Sequence, residues 1–194
     1  GFGGRDSATD RYHLGLKVWE LSANLARTDD QASIWLPEMV RLRDQLGETV
    51  SIYVRDGSER VRILAVQSNQ PVRRVAPVGL RFPLYAGASS KVLIAWSEPE
   101  EREKILAAPY WPASIDREQY MQQLKEIVEQ GYATSFEERE SGVAAIAAPV
   151  FDRAGTLAAA LSVSGPASRM TMDKMGEFAP IMMDYAKRMS TMMR

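Results

Sequence analysis

Apolar residues recur at three- or four-residue intervals near the start of the chain, as Leu14, Val18, Leu21 and Leu25, and predict an amphipathic helix. Ile34, Met39, Leu42 and Leu46 predict a second helix, starting at Ala32 or Trp35, with Pro37 in its first turn and Gly47 as its stop. The period then changes to two. Residues 49–55 and 60–67 predict strands joined by an Asp56-Gly57 turn, and 72–78 a third strand interrupted by Pro77. Residues 79–83 predict a bend. Gly87-Ala88-Ser89-Ser90 opens a short apolar helix, and Ser97-Glu98-Pro99-Glu100-Glu101 opens another. Residues 116–130 predict a longer helix ending at Gly131. After a second hairpin, Thr171 or Asp173 caps a final helix with an apolar stripe of Met175, Phe178, Met182, Ala186 and Met189, kinked at Pro180. Helices alternating with short-turned hairpins imply an α+β fold, a mainly antiparallel sheet flanked by helices.

That second hairpin is the most informative stretch, GVAAIAAPVFDRAGTLAAALSVSGPASR at 142–169. Its second strand has two unlike faces: Leu157, Ala159, Leu161 and Val163 on one, Thr156, Ala158, Ala160, Ser162 and Ser164 on the other. Closing the hairpin on residues 152–155 pairs Phe151 with Thr156, Ala147 with Ala160, Ala145 with Ser162 and Val143 with Ser164. One side of the sheet then carries Ala145, Ala147, Ala160, Ser162 and Ser164. Such a face forms either a small-molecule cup with hydroxyls at its floor or the seat of a helix at close range, the serines satisfied by backbone.

Composition narrows the chemistry. The 194 residues suit one well-buried domain, and 45% hydrophobic with 25% charged residues is ordinary for a globular protein. A net charge of −1 gives no basic surface for nucleic acid. With no cysteine and one histidine, His13, the chain has no disulfides, no thiol catalysis and no Cys/His zinc site. Carboxylates alone could still hold a metal, but EF-hand or similar spacing is absent and no metal site is assigned. The longest apolar run, residues 143–151, is too short to span a bilayer, which with no secretion signal implies a cytoplasmic protein.

Further candidates each carry an alternative. Gly87-Ala88-Ser89-Ser90-Lys91 is either an ordinary helix cap or an anion site at a helix start. Glu137, Glu138 and Glu140 supply acid/base carboxylates or form a solvated turn. Arg73, Arg74 and Arg81 hold an acidic partner or face solvent. Ser162-Val163-Ser164-Gly165 is no nucleophile elbow and has no spare histidine to activate it, so a nucleophilic serine is not expected.

Four motifs in order carry a family resemblance: Tyr12-His13-Leu14-Gly15; Gly79 with Pro83-Leu84-Tyr85-Ala86-Gly87-Ala88-Ser89-Ser90-Lys91-Val92-Leu93-Ile94-Ala95; Glu137-Glu138 with Gly142-Val143-Ala144-Ala145-Ile146-Ala147-Ala148-Pro149-Val150-Phe151-Asp152; and Ala160-Leu161-Ser162-Val163-Ser164-Gly165-Pro166 with Arg169. Together they resemble the IclR family of bacterial transcriptional regulators, over nearly the whole chain. The resemblance implies a repressor or activator with an N-terminal winged helix-turn-helix and a GAF-like effector-binding domain. On that pattern residues 1–28 are the remnant of the wing plus the linker helix, and 29–194 the effector domain. Operator DNA would be bound through the N-terminal domain, largely missing here, by a homodimer or homotetramer. The resemblance implies no catalysis and no cofactor. A small effector, often a carboxylate or aromatic acid, would sit among Ala88, Ser89, Ser135, Ala145, Ser162 and Ser164. Where family members carry a pocket cysteine and aspartate, this chain has Ala145 and Ser135 or Phe136, which implies a more apolar pocket on that side. The family's glycine before the lysine is Ser90. The residues alone also admit an enzyme using the same cup, or an oligomerisation module with an empty one.

Overall fold

The computed structural model describes residues 2–5, 11–18, 20–21, 30–75 and 77–193. They fall into two compact units, Gly1–Trp35 and Leu36–Arg194. In the first unit a short antiparallel ribbon joins β1 (Gly3–Arg5) to β2 (Tyr12–Leu14), with helical backbone following at 16–18 and 20–21. The rest of the helix predicted near the start lies outside the described residues.

Helix α1 (Asp30–Leu46) starts before the predicted Ala32, so Pro37 lies inside it rather than in its first turn. The second unit is built on a six-stranded antiparallel sheet in the order β5-β4-β3-β8-β7-β6. Its strands are β3 (Thr49–Asp56), β4 (Glu59–Val66), β5 (Arg81–Pro83), β6 (Ala133–Phe136), β7 (Val143–Phe151) and β8 (Leu157–Pro166). Two elements differ from the expected pattern. The described residues of 72–78 form no strand, since Pro71 and Pro77 remove ladder donors; the supposed bend instead supplies β5, which pairs with β4. The four-residue β6 is too short to show a period of its own.

Between the edge strands β5 and β6 the chain crosses one face of the sheet through α2 (Ala88–Ala95), α3 (Pro99–Ala107) and α4 (Arg117–Gln130). Asp116 caps α4, accepting from Gln119 N–H at 2.9 Å, and Gly131 ends it in the left-handed region at φ 87°. Helix α5 (Met172–Thr191), capped by Thr171, covers the other face and buries Met175, Phe178, Met182, Ala186 and Met189, the predicted stripe. Tyr185 donates to Gln45 at 3.1 Å, and Arg188 lies 3.6 Å from Glu38, placing the end of α1 beside α5.

The β7/β8 hairpin keeps its predicted faces but not its predicted pairs. Ala145 faces Ser164 and Ala147 faces Ser162, two residues on from the expected register. Thr156 belongs to the turn, where its N–H and that of Ala154 donate to Asp152 Oδ1, both at 2.9 Å. Ala158 is then skipped in a bulge between Val150 and Phe151. A shift of two preserves every side chain's face, whereas a shift of one would have reversed them all.

Candidate functional site

Across the sheet, paired residues carry their side chains to the same face. One such row runs Ser135, Ala145, Ser164, Thr49, and the next Ala133, Ala147, Ser162, Ser51. Helix α2 lies over this surface: Ala88, Val92 and Ala95 belong to one buried cluster with Ala133, Ala147 and Ala160. The two ends of the small-residue face therefore differ. The alanines seat the helix, and beyond its first turn the serines line a cavity of about 40 Å³.

All six residues expected at an effector site line that cavity: Ala88, Ser89, Ser135, Ala145, Ser162 and Ser164. The hydroxyls of Ser89, Ser135, Ser162 and Ser164 make no hydrogen bond to any group among the described residues, although all four residues are buried. The hydroxyl of Ser51, across the sheet from Ser162, is also buried and unpartnered.

Four arginines complete the lining, Arg60 and Arg62 from β4 with Arg74 and Arg139 from loops, against one carboxylate, Glu140. Arg60, Arg62 and Arg139 gather round Phe82, their guanidinium carbons 5.3, 5.2 and 4.6 Å from the ring centre. Arg60 donates to Ala86 O at 2.6 Å, to Pro83 O at 3.1 Å and to Ser90 Oγ. Arg62 donates to Tyr53 Oη through Nε, at 2.9 Å, and through Nη2. Arg74 and Arg139 share Glu140, at 2.7 and 3.3 Å. Burial pulls the Arg60 guanidinium down to about 10, with repulsion from Arg139 and Arg62 adding to it against an opposing pull from Tyr53. Arg139 is lowered too, by burial first and then by Arg74. Ala145 and Ser135, expected to make that side of the pocket more apolar, share the lining with four arginines, so the cavity as a whole is cationic.

The start of α2 is shaped for close approach. Gly87 has φ 100°, and a Cβ there would meet Arg60 Nη2 at 3.0 Å. The α2 N-terminus has no side-chain cap; Gly87 N–H donates to Glu138 at 3.3 Å, and Glu138 also pairs with Lys91. Lys91 further donates to Thr134 O at 2.9 Å. Glu137 Oε1 accepts from Gly142 N–H at 2.6 Å. Each of the three loop carboxylates is thus engaged by a cation or an N–H. Among the expected arginines, Arg74 lines the cavity, whereas Arg81 pairs with Asp56 and Glu59 at the surface. Sequence reasoning missed Arg60, Arg62 and Arg139. The signal was present in β4, where arginines at alternate positions of a strand place two charges on one face.

A larger groove of about 490 Å³ runs along α4, lined by Ser114, Asp116, Gln119, Tyr120, Gln123 and Glu126 among others. It has no cation and opens along one helix surface. Size favours it; convergent unpartnered donors favour the serine–arginine cavity.

A helix laid over a curled, six-stranded antiparallel sheet defines an α+β domain of the GAF-like kind. Comparison with known proteins gives the family. The profile described as "Bacterial transcriptional regulator IclR C-terminal" matches residues 25–191, and the chain belongs to this family. It is 34% identical over 192 residues to the HTH-type transcriptional repressor AllR of Salmonella paratyphi A, covering 96% of this chain and 71% of that protein. Its structure resembles Thermotoga maritima IclR, with a TM-score of 0.81 and 30% identity over 98% of this chain and 79% of that one. It also resembles the C-terminal domain of Escherichia coli KdgR, with a TM-score of 0.73 and 31% identity over 84% and 98%. The chain is thus the effector-binding domain of an IclR-family transcriptional regulator. No helix among the described residues is long and apolar enough to cross a membrane.

Proposed function

We propose that the serine–arginine cavity binds a small anionic effector, a carboxylate or aromatic acid, and that occupancy alters the arrangement of a homodimer or homotetramer and so its operator affinity. In this reading residues 29–194 sense the effector and residues 1–28 relay its state, in a cytoplasmic protein that does not transform its ligand. One observation carries it: four unpartnered serine hydroxyls and four arginines converge at the start of α2. The effector must bind one arrangement more tightly than the other for the signal to pass. A thermal-shift screen against small carboxylates, aromatic acids and sugars tests this. A saturable rise in melting temperature with the ligand recovered unchanged supports a sensor. Consumption of the ligand would mark an enzyme, and no response to any ligand a pure interaction module.

A further inference from the structure

The charges round the cavity are out of balance. Among the described residues Glu140 is the only acidic side chain in a lining with four guanidinium groups, and it is committed to Arg74 and Arg139. Arg60 and Arg62, 4% and 2% exposed, have only neutral partners among the described residues: carbonyls, the Ser90 hydroxyl and the Tyr53 phenol. Arg60 Nε is buried with no hydrogen-bond partner among the described residues. A buried cation without a counter-charge is costly, and the aromatic faces of Tyr53 and Phe82 offset only part of that cost.

The unpartnered hydroxyls of Ser162 and Ser164 lie in the same cavity and suit the oxygens of an acid. One negative charge could meet only one of Arg60 and Arg62, the two guanidinium groups of the lining without a charged partner among the described residues. From this we infer that the effector carries two negative charges at neutral pH, as a dicarboxylate or a phosphorylated acid does, with Arg60 and Arg62 selecting the second charge. The inference rests on the effector-site reading above and adds the charge class of the ligand.

The test is melting temperature against concentration of succinate, inorganic phosphate and butyrate, at pH 7.5 and constant ionic strength. The comparison covers the parent chain, Arg60→Gln and Arg62→Gln. In the parent, succinate or phosphate should give saturable stabilisation at concentrations at least about tenfold below those butyrate needs, the increment of one charge-assisted contact. In both variants that preference should collapse. Response to succinate alone assigns a dicarboxylate, and to phosphate alone a phosphorylated acid. If circular dichroism shows either variant unfolded, the parent's preference for the dianions over butyrate decides the two-charge inference by itself. Butyrate binding as well as the dianions, or a preference that survives the substitutions, overturns the two-charge inference and leaves the effector-site reading standing. No saturable response to any of the three overturns the two-charge inference, while the effector-site reading falls only if the wider screen is silent as well.

Discussion

Replacing Ser162 or Ser164 by alanine separates binding from folding, because neither hydroxyl makes a hydrogen bond to another group among the described residues. Ser162→Ala or Ser164→Ala therefore removes no intramolecular partner, and the unliganded stability should stay within about 0.5 kcal/mol of the parent. Ser90 is the internal control. Its hydroxyl accepts from buried Arg60 and lies 3.3 Å from Pro83 O, so Ser90→Ala should cost about 1–3 kcal/mol of stability. That corresponds to a fall of roughly 2–10 °C in melting temperature for a domain of this size. Effector binding behaves in the opposite way. A hydroxyl donating to a charged oxygen contributes about 1.5–3 kcal/mol, so each cavity serine should weaken Kd by roughly 10- to 150-fold. Titration calorimetry with an acid identified by thermal shift, beside urea denaturation of the same variants, measures both quantities. Affinity unchanged in both cavity variants, or stability lost in them as heavily as in Ser90→Ala, would refute the reasoning.

Three other substitutions probe the surroundings. Lys91→Met deprives Thr134 O and Glu138 of their buried cation and should lower stability by about 1–3 kcal/mol, read as a lower urea midpoint at unchanged m. Gly87→Ala forces a side chain into the left-handed region against Arg60 and should destabilise by about 1 kcal/mol or more while weakening effector binding. Tyr120 has a buried, unpartnered hydroxyl, raised well above 10 by burial first and then by Glu138. At pH 7 Tyr120→Phe should be at least as stable as the parent, by up to about 1–3 kcal/mol. Above about pH 10 the unfolded phenol ionises while the folded one stays protonated, so the parent loses stability with rising pH and the gap in urea midpoint should widen.

Much of this arrangement was legible because it depends on periodicity. The period-two alternation of β8 assigned Ser162 and Ser164 to one face, and that assignment survived a register error of two residues. The error came from Thr156 joining the turn and Ala158 entering a bulge, local choices that alternation does not encode. Strand β6 was too short to announce itself. Whether the small-residue face would seat a helix or floor a cavity was undecidable in sequence, because α2 covers only the alanine end. The arginines are the larger omission. Nothing in the β4 sequence itself marks Arg60 and Arg62 as buried; they are enclosed by Tyr53, Phe82 and the residues from Pro83 to Ser90 that lead into α2. Their partners, Tyr53, Pro77, Pro83, Ala86 and Ser90, come from β3, β5, α2 and the loops on either side of β5. Ser90, a departure from the family pattern, has its explanation there, as the acceptor for Arg60.

The most direct test of the central claim is a map of backbone amide shifts by nuclear magnetic resonance, as the stabilising acid is titrated into the protein. An effector in the serine–arginine cavity should move the amides of Ala88, Ser89, Ser135, Ala145, Ser162 and Ser164 most, saturating at one Kd. Shifts confined to the α4 groove around Ser114, Gln119 and Gln123, with the cavity amides unmoved, would contradict it.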